Sequence, residues 1–125
     1  MKLTLTNQES ICKFTTLLQN LKVFSEQIVI HFSVDGVYMQ GMDSSHCSCF
    51  EIKLTSKWFD SFTFNEDNDI TSMGVSTNVL QKIFGTRKEG QTVTMSGSEE
   101  SDVLELSFTG DEKVLDKYFE IPLID

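Results

Sequence analysis

Apolar residues along this chain alternate, then recur at helical spacing, then alternate again. Residues 2–6 (KLTLT) alternate and predict a short strand. Ile11, Phe14, Leu17, Leu18 and Leu21 follow at the spacing of one helix face. Asn7 or Ser10 is placed to cap that helix, with Glu9 near its positive end. Residues 27–34 (QIVIHFSV) read as a β-branched strand, Asp35-Gly36 as a hairpin turn, and residues 37–42 as its return strand. A further strand is expected over 47–56. The order then restarts: residues 57–64 (KWFDSFTF) read as a strand and the acidic residues 66–70 as a loop. Residues 76–84 read as a second helix, capped by Ser76 with Val79, Leu80, Ile83 and Phe84 on its apolar face. Three strands follow, over 91–97, 101–110 and 117–124.

The pattern is β-α-β-β-β twice, in halves of about 1–56 and 57–125, a repeat of pattern and not of letters. Strands linked by hairpins favour antiparallel sheets, with the two helices packed on one face. The predicted class is α+β, in one domain spanning 1–125.

Composition changes little in this picture. A chain of 125 residues with ten Phe is long enough to bury a core. It has no apolar run of about 18 residues, so no membrane helix is expected. The first residues lack the apolar region of a signal peptide, and three cysteines fit a reducing compartment, so an intracellular protein is expected.

Charge changes more. The formal net charge of −9 argues against nucleic acid as a partner. The bases, however, are segregated. Residues 10–24 hold Lys13 and Lys22, and residues 75–88 hold Lys82, Arg87 and Lys88, with no acid in either stretch. Those stretches are the two helix candidates. Lys82 projects about 180° from the Leu80/Ile83/Phe84 stripe, while Lys13 and Lys22 flank Thr16 opposite the Phe14/Leu18/Leu21 stripe. Both helices are expected to bury one face and offer an acid-free outer face, suited to phosphates but not to reading bases.

The stretch GVYMQGMDSSHCSCFEI (36–52) holds the densest candidate chemistry. A zinc site would need His46, Cys47 and Cys49 to converge within about 2–2.3 Å of one ion. On a strand, Cys47 and Cys49 point one way and His46 the other. His31 and Cys12 lie on other elements. A Cys-His nucleophile has the same fault, and a triad from Asp43, Ser44 or Ser45, and His46 lacks reach. No metal, no cofactor and no enzyme activity are therefore expected, and Cys47 and Cys49 read as two small buried residues.

The same stretch carries a resemblance. Val37, Gln40 and the block Met42-Asp43-Ser44-Ser45-His46 after the Asp-Gly turn resemble the "GV-x-L-Q-x-MDSSH" run of DNA sliding clamps of the proliferating cell nuclear antigen (PCNA) type. FEIKLTSKWFDSF, SMGVSTNVLQKI and KYFEIPLID are similar to later stretches of that family's first domain. The resemblance covers nearly the whole chain. It implies the DNA-clamp fold and a topological activity: a ring around duplex DNA that tethers polymerase and other replication or repair proteins.

By position, Lys22 and Lys82 match DNA-facing lysines of the family; Lys13, Arg87 and Lys88 join them on the charge pattern. Thr15 stands where the family often has a DNA-facing lysine, so weak contact per domain is expected. Met42, Ser44, Ser45, His46, Cys47 and Cys49 fall around the family's partner groove, which takes peptides of the Q-x-x-aliphatic-x-x-aromatic-aromatic kind. Tyr118, Phe119 and Ile121 fall on the strand used for subunit contact. A clamp loader is a further implied partner, as is self-assembly into a ring, a trimer when the full subunit has two domains. Family chains hold two such domains, so this chain is expected to be the first of two, or else a one-domain clamp closing with more copies. The alternatives are a checkpoint-type clamp subunit acting as a protein scaffold and, more remotely, a thiol or metal enzyme. The limited match to well-known cellular members leaves room for a divergent or virus-encoded clamp. The expected location is the nucleus, or a cytoplasmic replication site for a viral member.

Overall fold

In the computed structural model, residues 2–24 build the first strand and helix from their own alternation and periodicity. The structure describes all residues except 44, 46, 47, 66–71, 98–101, 111–114 and 125. Strand β1 (Lys2–Leu5) buries Leu3 and Leu5 and turns Lys2 outward. Helix α1 (Gln8–Phe24) buries Ile11, Phe14, Leu18 and Leu21, one stripe along its length. Of the two cap candidates, Asn7 is the cap: the Ser10 backbone N–H donates to its Oδ1 at 3.1 Å. The Asp60 carboxylate accepts from the Thr6 and Asn7 backbone N–H groups and so anchors the start of α1 from a segment far along the chain.

Strands β2 (Gln27–Ser33), β3 (Gly36–Met42) and β4 (Cys49–Thr55) form the expected antiparallel meander. Gly36 has φ 138°, and a Cβ there would lie 2.1 Å from the Leu54 carbonyl oxygen, so only glycine fits that turn. The strand expected over 57–64 is a correction. Residues Ser56–Trp58 form a 3₁₀ turn, and only β5 (Ser61–Thr63) is extended. The strand that precedes the second helix is instead β6 (Ser72–Ser76), whose alternation buries Met73 and Val75. Helix α2 (Thr77–Phe84) then starts on the Ser76 cap. Strands β7 (Thr92–Ser96), β8 (Val103–Thr109) and β9 (Lys117–Pro122) close the fold.

The two halves exchange strands. One sheet has the order β5-β1-β7-β8-β9 and the other β4-β3-β2-β6. Thus β1 of the first half pairs with β7 of the second, and β6 of the second half pairs with β2 of the first. Neither half completes a sheet alone, and both sheets are antiparallel throughout.

The helices pack against each other over the inner faces of the sheets. Thr77, fully buried at the start of α2, donates its hydroxyl to the Ser25 carbonyl at the end of α1, at 2.6 Å. A run of aromatic contacts passes from Trp58 to Phe14, Phe84, Phe108 and Phe119, with ring centroids 5.5–6.0 Å apart. It ties the helix pair to the edge strand β9. A T-shaped contact of Phe24 with Phe50 does the same for the opposite edge, β4.

Candidate functional site

Three surfaces follow from this scaffold: the outer face of the helix pair, the outward face of the β2-β3-β4-β6 sheet, and the sheet edges, β9 and β4 among them.

On the helix face, Lys22 and Lys82 are exposed, each in the last turn of its helix. Lys88 is exposed in the loop after α2. Lys13 is exposed too, but its ammonium lies 3.4 Å from the Glu9 carboxylate. Helix α1 begins at Gln8 and therefore includes Glu9, so its outer face is not acid-free as expected. The lane between the lysines is neutral, bearing Cys12, Thr16, Gln19 and an 89% exposed Val23. Arg87 is half-buried and faces inward to the structure. Its Nε donates to the Gln91 carbonyl at 3.1 Å, and its Nη2 donates to Gln8 Oε1. Burial lowers its pKa from the ordinary value, and it remains a cation. Gln91, fully buried, donates from Nε2 to the Leu115 carbonyl at 3.0 Å and accepts the Lys88 N–H at 3.0 Å. Arg87 and Gln91 thus fasten the end of α2 to the start of α1 and to the approach to β9, a role their side-chain types alone did not announce.

On the outward sheet face, Ser44, His46 and Cys47 lie outside the described residues. The rest of that loop is organised by Asp43. Its backbone N–H donates to the Ser48 carbonyl, and its carboxylate accepts from the Ser48 N–H and the Ser45 hydroxyl. Met42 is 51% exposed and sits opposite Cys49 in register. Cys49 is an exposed free thiol, which corrects the buried reading: strand parity places it in the outward row with Glu51 and Lys53. A cleft of about 330 Å³ brings Met42 and Cys49 together with Val29, Gln40 and Phe50. An adjoining cleft of about 600 Å³ shares Val29, Gln40 and Gly41 and runs to Gly74 and Ile124. Gly41 leaves room for Phe50, whose ring would lie 2.7 Å from an added Cβ. The exposed Val29 was the legible signal for this groove, a β-branched residue on the polar side of an alternating strand. Among the described residues no cluster of three metal-ligating side chains occurs, and no helix is long and apolar enough to cross a membrane.

At the edges, β9 presents Tyr118, 59% exposed, with Phe119 half-buried and Ile121 buried in the core. The Tyr118 phenol is pushed up to about 12, first by desolvation at the sheet and then by hydrogen bonding to Glu105 and Glu120.

Comparison with known proteins decides the family. The model of the proliferating cell nuclear antigen N-terminal domain matches residues 3–125. The chain belongs to the PCNA family. Among solved structures, it is similar to a chain of the PCNA2–PCNA3 complex from Sulfolobus tokodaii, with TM-score 0.85 and 18% identity over 100% of this chain. It covers 47% of that chain, so it spans about half the length of the relative it matches. The PCNA resemblance in the Met42–His46 block and the α+β reading with two helices on antiparallel sheets therefore hold. PCNA-family domains are non-enzymatic scaffolds with a sliding-clamp fold, and this chain has that fold.

Proposed function

We propose that this chain is the clamp domain of a ring that encircles duplex DNA and tethers a polymerase and other replication or repair proteins to it. The observation that carries the reading is the placement of charge. Lys22 and Lys82 stand free of short ion pairs on the outer face of the helix pair among the described residues, while Glu51, Glu105 and Glu120 lie on the outward rows of the sheets. A surface of two helices with scattered lysines contacts phosphates without reading bases. The Glu9–Lys13 pair and the neutral lane between the lysines keep that contact weak, so retention comes from encirclement and not from affinity. The same neutrality favours, as a second reading, a scaffold subunit of a checkpoint-type ring.

Partner proteins with a Q-x-x-aliphatic-x-x-aromatic-aromatic peptide would dock in the groove of Met42, Cys49, Val29 and Phe50. Tyr118, Phe119 and Ile121 form the strand that meets the next domain. The heteromeric composition of the similar Sulfolobus complex supports assembly from more than one chain as well as from copies of one. A clamp loader would open the ring.

The test is the salt dependence of DNA binding by the assembled protein. Lys22→Ala with Lys82→Ala should weaken binding uniformly across sequences and reduce the slope of log affinity against log salt by about one per lysine in contact. An unchanged slope removes the DNA-facing assignment.

A further inference from the structure

We propose that His31 is a proton-operated positioning residue for the groove of Met42, Cys49, Val29 and Phe50: neutral, it holds the Gln40 amide in the orientation that admits a partner peptide, and protonated, it turns that amide over and weakens binding. This rests on the reading of the groove as the peptide site and adds its regulation. Gln40 is the shared residue, for it lines both the cleft of about 330 Å³ and the adjoining cleft of about 600 Å³. His31 stands one row away on the same sheet face. The registers set Val29, Gln40 and Glu51 in one row across β2, β3 and β4, and His31, Tyr38 and Lys53 in the next.

The contacts define the neutral arrangement. Gln40 Nε2 lies 3.3 Å from His31 Nε2. An amide nitrogen donates and does not accept, so His31 Nε2 is the acceptor and the imidazole is neutral, with its proton on Nδ1. At the other end of the amide, Gln40 Oε1 accepts from the Tyr38 hydroxyl at 3.4 Å. The Tyr38 and His31 rings touch, with centroids 5.7 Å apart. The Tyr38 phenol is pushed above its ordinary value, first by desolvation and then by a hydrogen bond to the Glu51 carboxylate diagonally across β4. The other groups around the network are settled. Ser72 of β6, uncharged, stands opposite His31 in register. The Lys53 ammonium lies 5.9 Å from the Tyr38 ring centroid, and Asp102 lines the larger cleft with Gln40.

Protonation makes His31 Nε2 a donor, and it then has nothing to receive from Gln40. The amide turns over. His31 Nε2–H donates to Gln40 Oε1, Gln40 Nε2 donates to the Tyr38 oxygen, and the Tyr38 O–H donates to the Glu51 carboxylate. Every donor in this second arrangement finds an acceptor. One proton taken up on β2 thus reverses a chain of hydrogen bonds across three strands. The donor and acceptor that Gln40 offers the clefts exchange places, so a peptide fitted to the first arrangement loses a hydrogen bond in the second. Desolvation acts in the same direction. A peptide lying over Gln40 strips water from the imidazole that Gln40 touches, which disfavours the charged ring. Binding and protonation therefore oppose each other, and affinity falls as pH falls through the range in which histidine titrates.

The experiment measures binding of a Q-x-x-aliphatic-x-x-aromatic-aromatic peptide without acidic residues to the 125-residue chain, for the parent, His31→Phe and Tyr38→Phe. NMR of the free protein follows the His31 ring and the Gln40 side-chain amide over the same pH range, and circular dichroism checks that the variants fold. Parental affinity should fall about fivefold between about pH 8 and about pH 5.5. His31→Phe keeps a ring against Tyr38 and removes the proton site, so its profile should lose that step and retain only what the chain's other histidine, His46, contributes. Tyr38→Phe keeps the ring contact but removes the hydroxyl that receives the reversed amide, so its step should shrink although His31 still titrates. In the free parent, the Gln40 amide signals should titrate together with the His31 ring. A flat parental profile, a His31→Phe or Tyr38→Phe profile as steep as the parent's, or a Gln40 amide that ignores the His31 titration would each overturn the proposal. A parent that binds no peptide at any pH would overturn the peptide reading of the groove and this regulation with it. A Gln40 amide that still follows His31 would then show that the network stands and the groove reading is what failed.

Discussion

At the residue scale, the fold depends on polar side chains that join segments distant in sequence. Asp60 is the clearest. Its carboxylate accepts from the N–H groups of Thr6 and Asn7, and these bonds, Thr6 first, hold its pKa below the ordinary 3.8. A depressed carboxylate contributes stability that is present above its unfolded value and lost as pH falls through the folded one. Asp60→Asn should therefore lower the melting temperature near neutral pH, and the gap to the parent should close as pH falls from about 4 downward. A gap that persists unchanged at pH 2 would show that charge at Asp60 does not support the α1 cap. Residues of this kind were only partly legible. Asn7 and Ser76 were, because a cap acts on its own next turn. Asp60, Arg87 and Gln91 were not, because their partners lie 53, 79 and 24 residues away. Cys49 was misread because an apolar residue type was taken for an inward one, where parity with Glu51 and Lys53 decides its side.

At the element scale, both helices and the β2-β3-β4 meander followed from periodicity, and the second half's first strand did not. SMGVS alternates weakly, with a glycine in its centre, and adjoins the Ser76 cap; KWFDSFTF is richer in aromatics and drew the strand assignment. The structure uses Trp58, Phe59 and Phe62 differently, packed on one another around a 3₁₀ turn. The exchange of β1 and β6 between sheets had no local signal, since pairing partners are set by the whole fold. The hairpin turn is more tightly determined. Gly36→Ala places a Cβ against the backbone of β4 at a φ that alanine resists. It should destabilise the protein by about 1–3 kcal/mol, read by denaturant midpoint, and loosen β4. Parental stability would mean that the turn relaxes without strain.

At the scale of the molecule, strand exchange makes one unit with a helix pair on one side and sheets whose edge strands include β4 and β9. Aromatic contacts reach from the helices to the edge strands β4 and β9, so the face that would meet DNA and the edges that would meet neighbouring domains are held by one core. On the proposed reading, a chain of net charge −9 meets DNA through Lys22 and Lys82 on the helix side, while Glu51, Glu105 and Glu120 lie on the outward rows of the sheets. Contact of that kind is weak and salt-sensitive, whereas a closed ring on a closed circle is held by topology. The most direct measurement is retention of the assembled protein on circular duplex DNA through a high-salt wash, before and after the circle is cut once. Encirclement predicts that the protein stays on the intact circle and runs off when it is linearised. Equal loss from both forms, or equal retention on both, would contradict it.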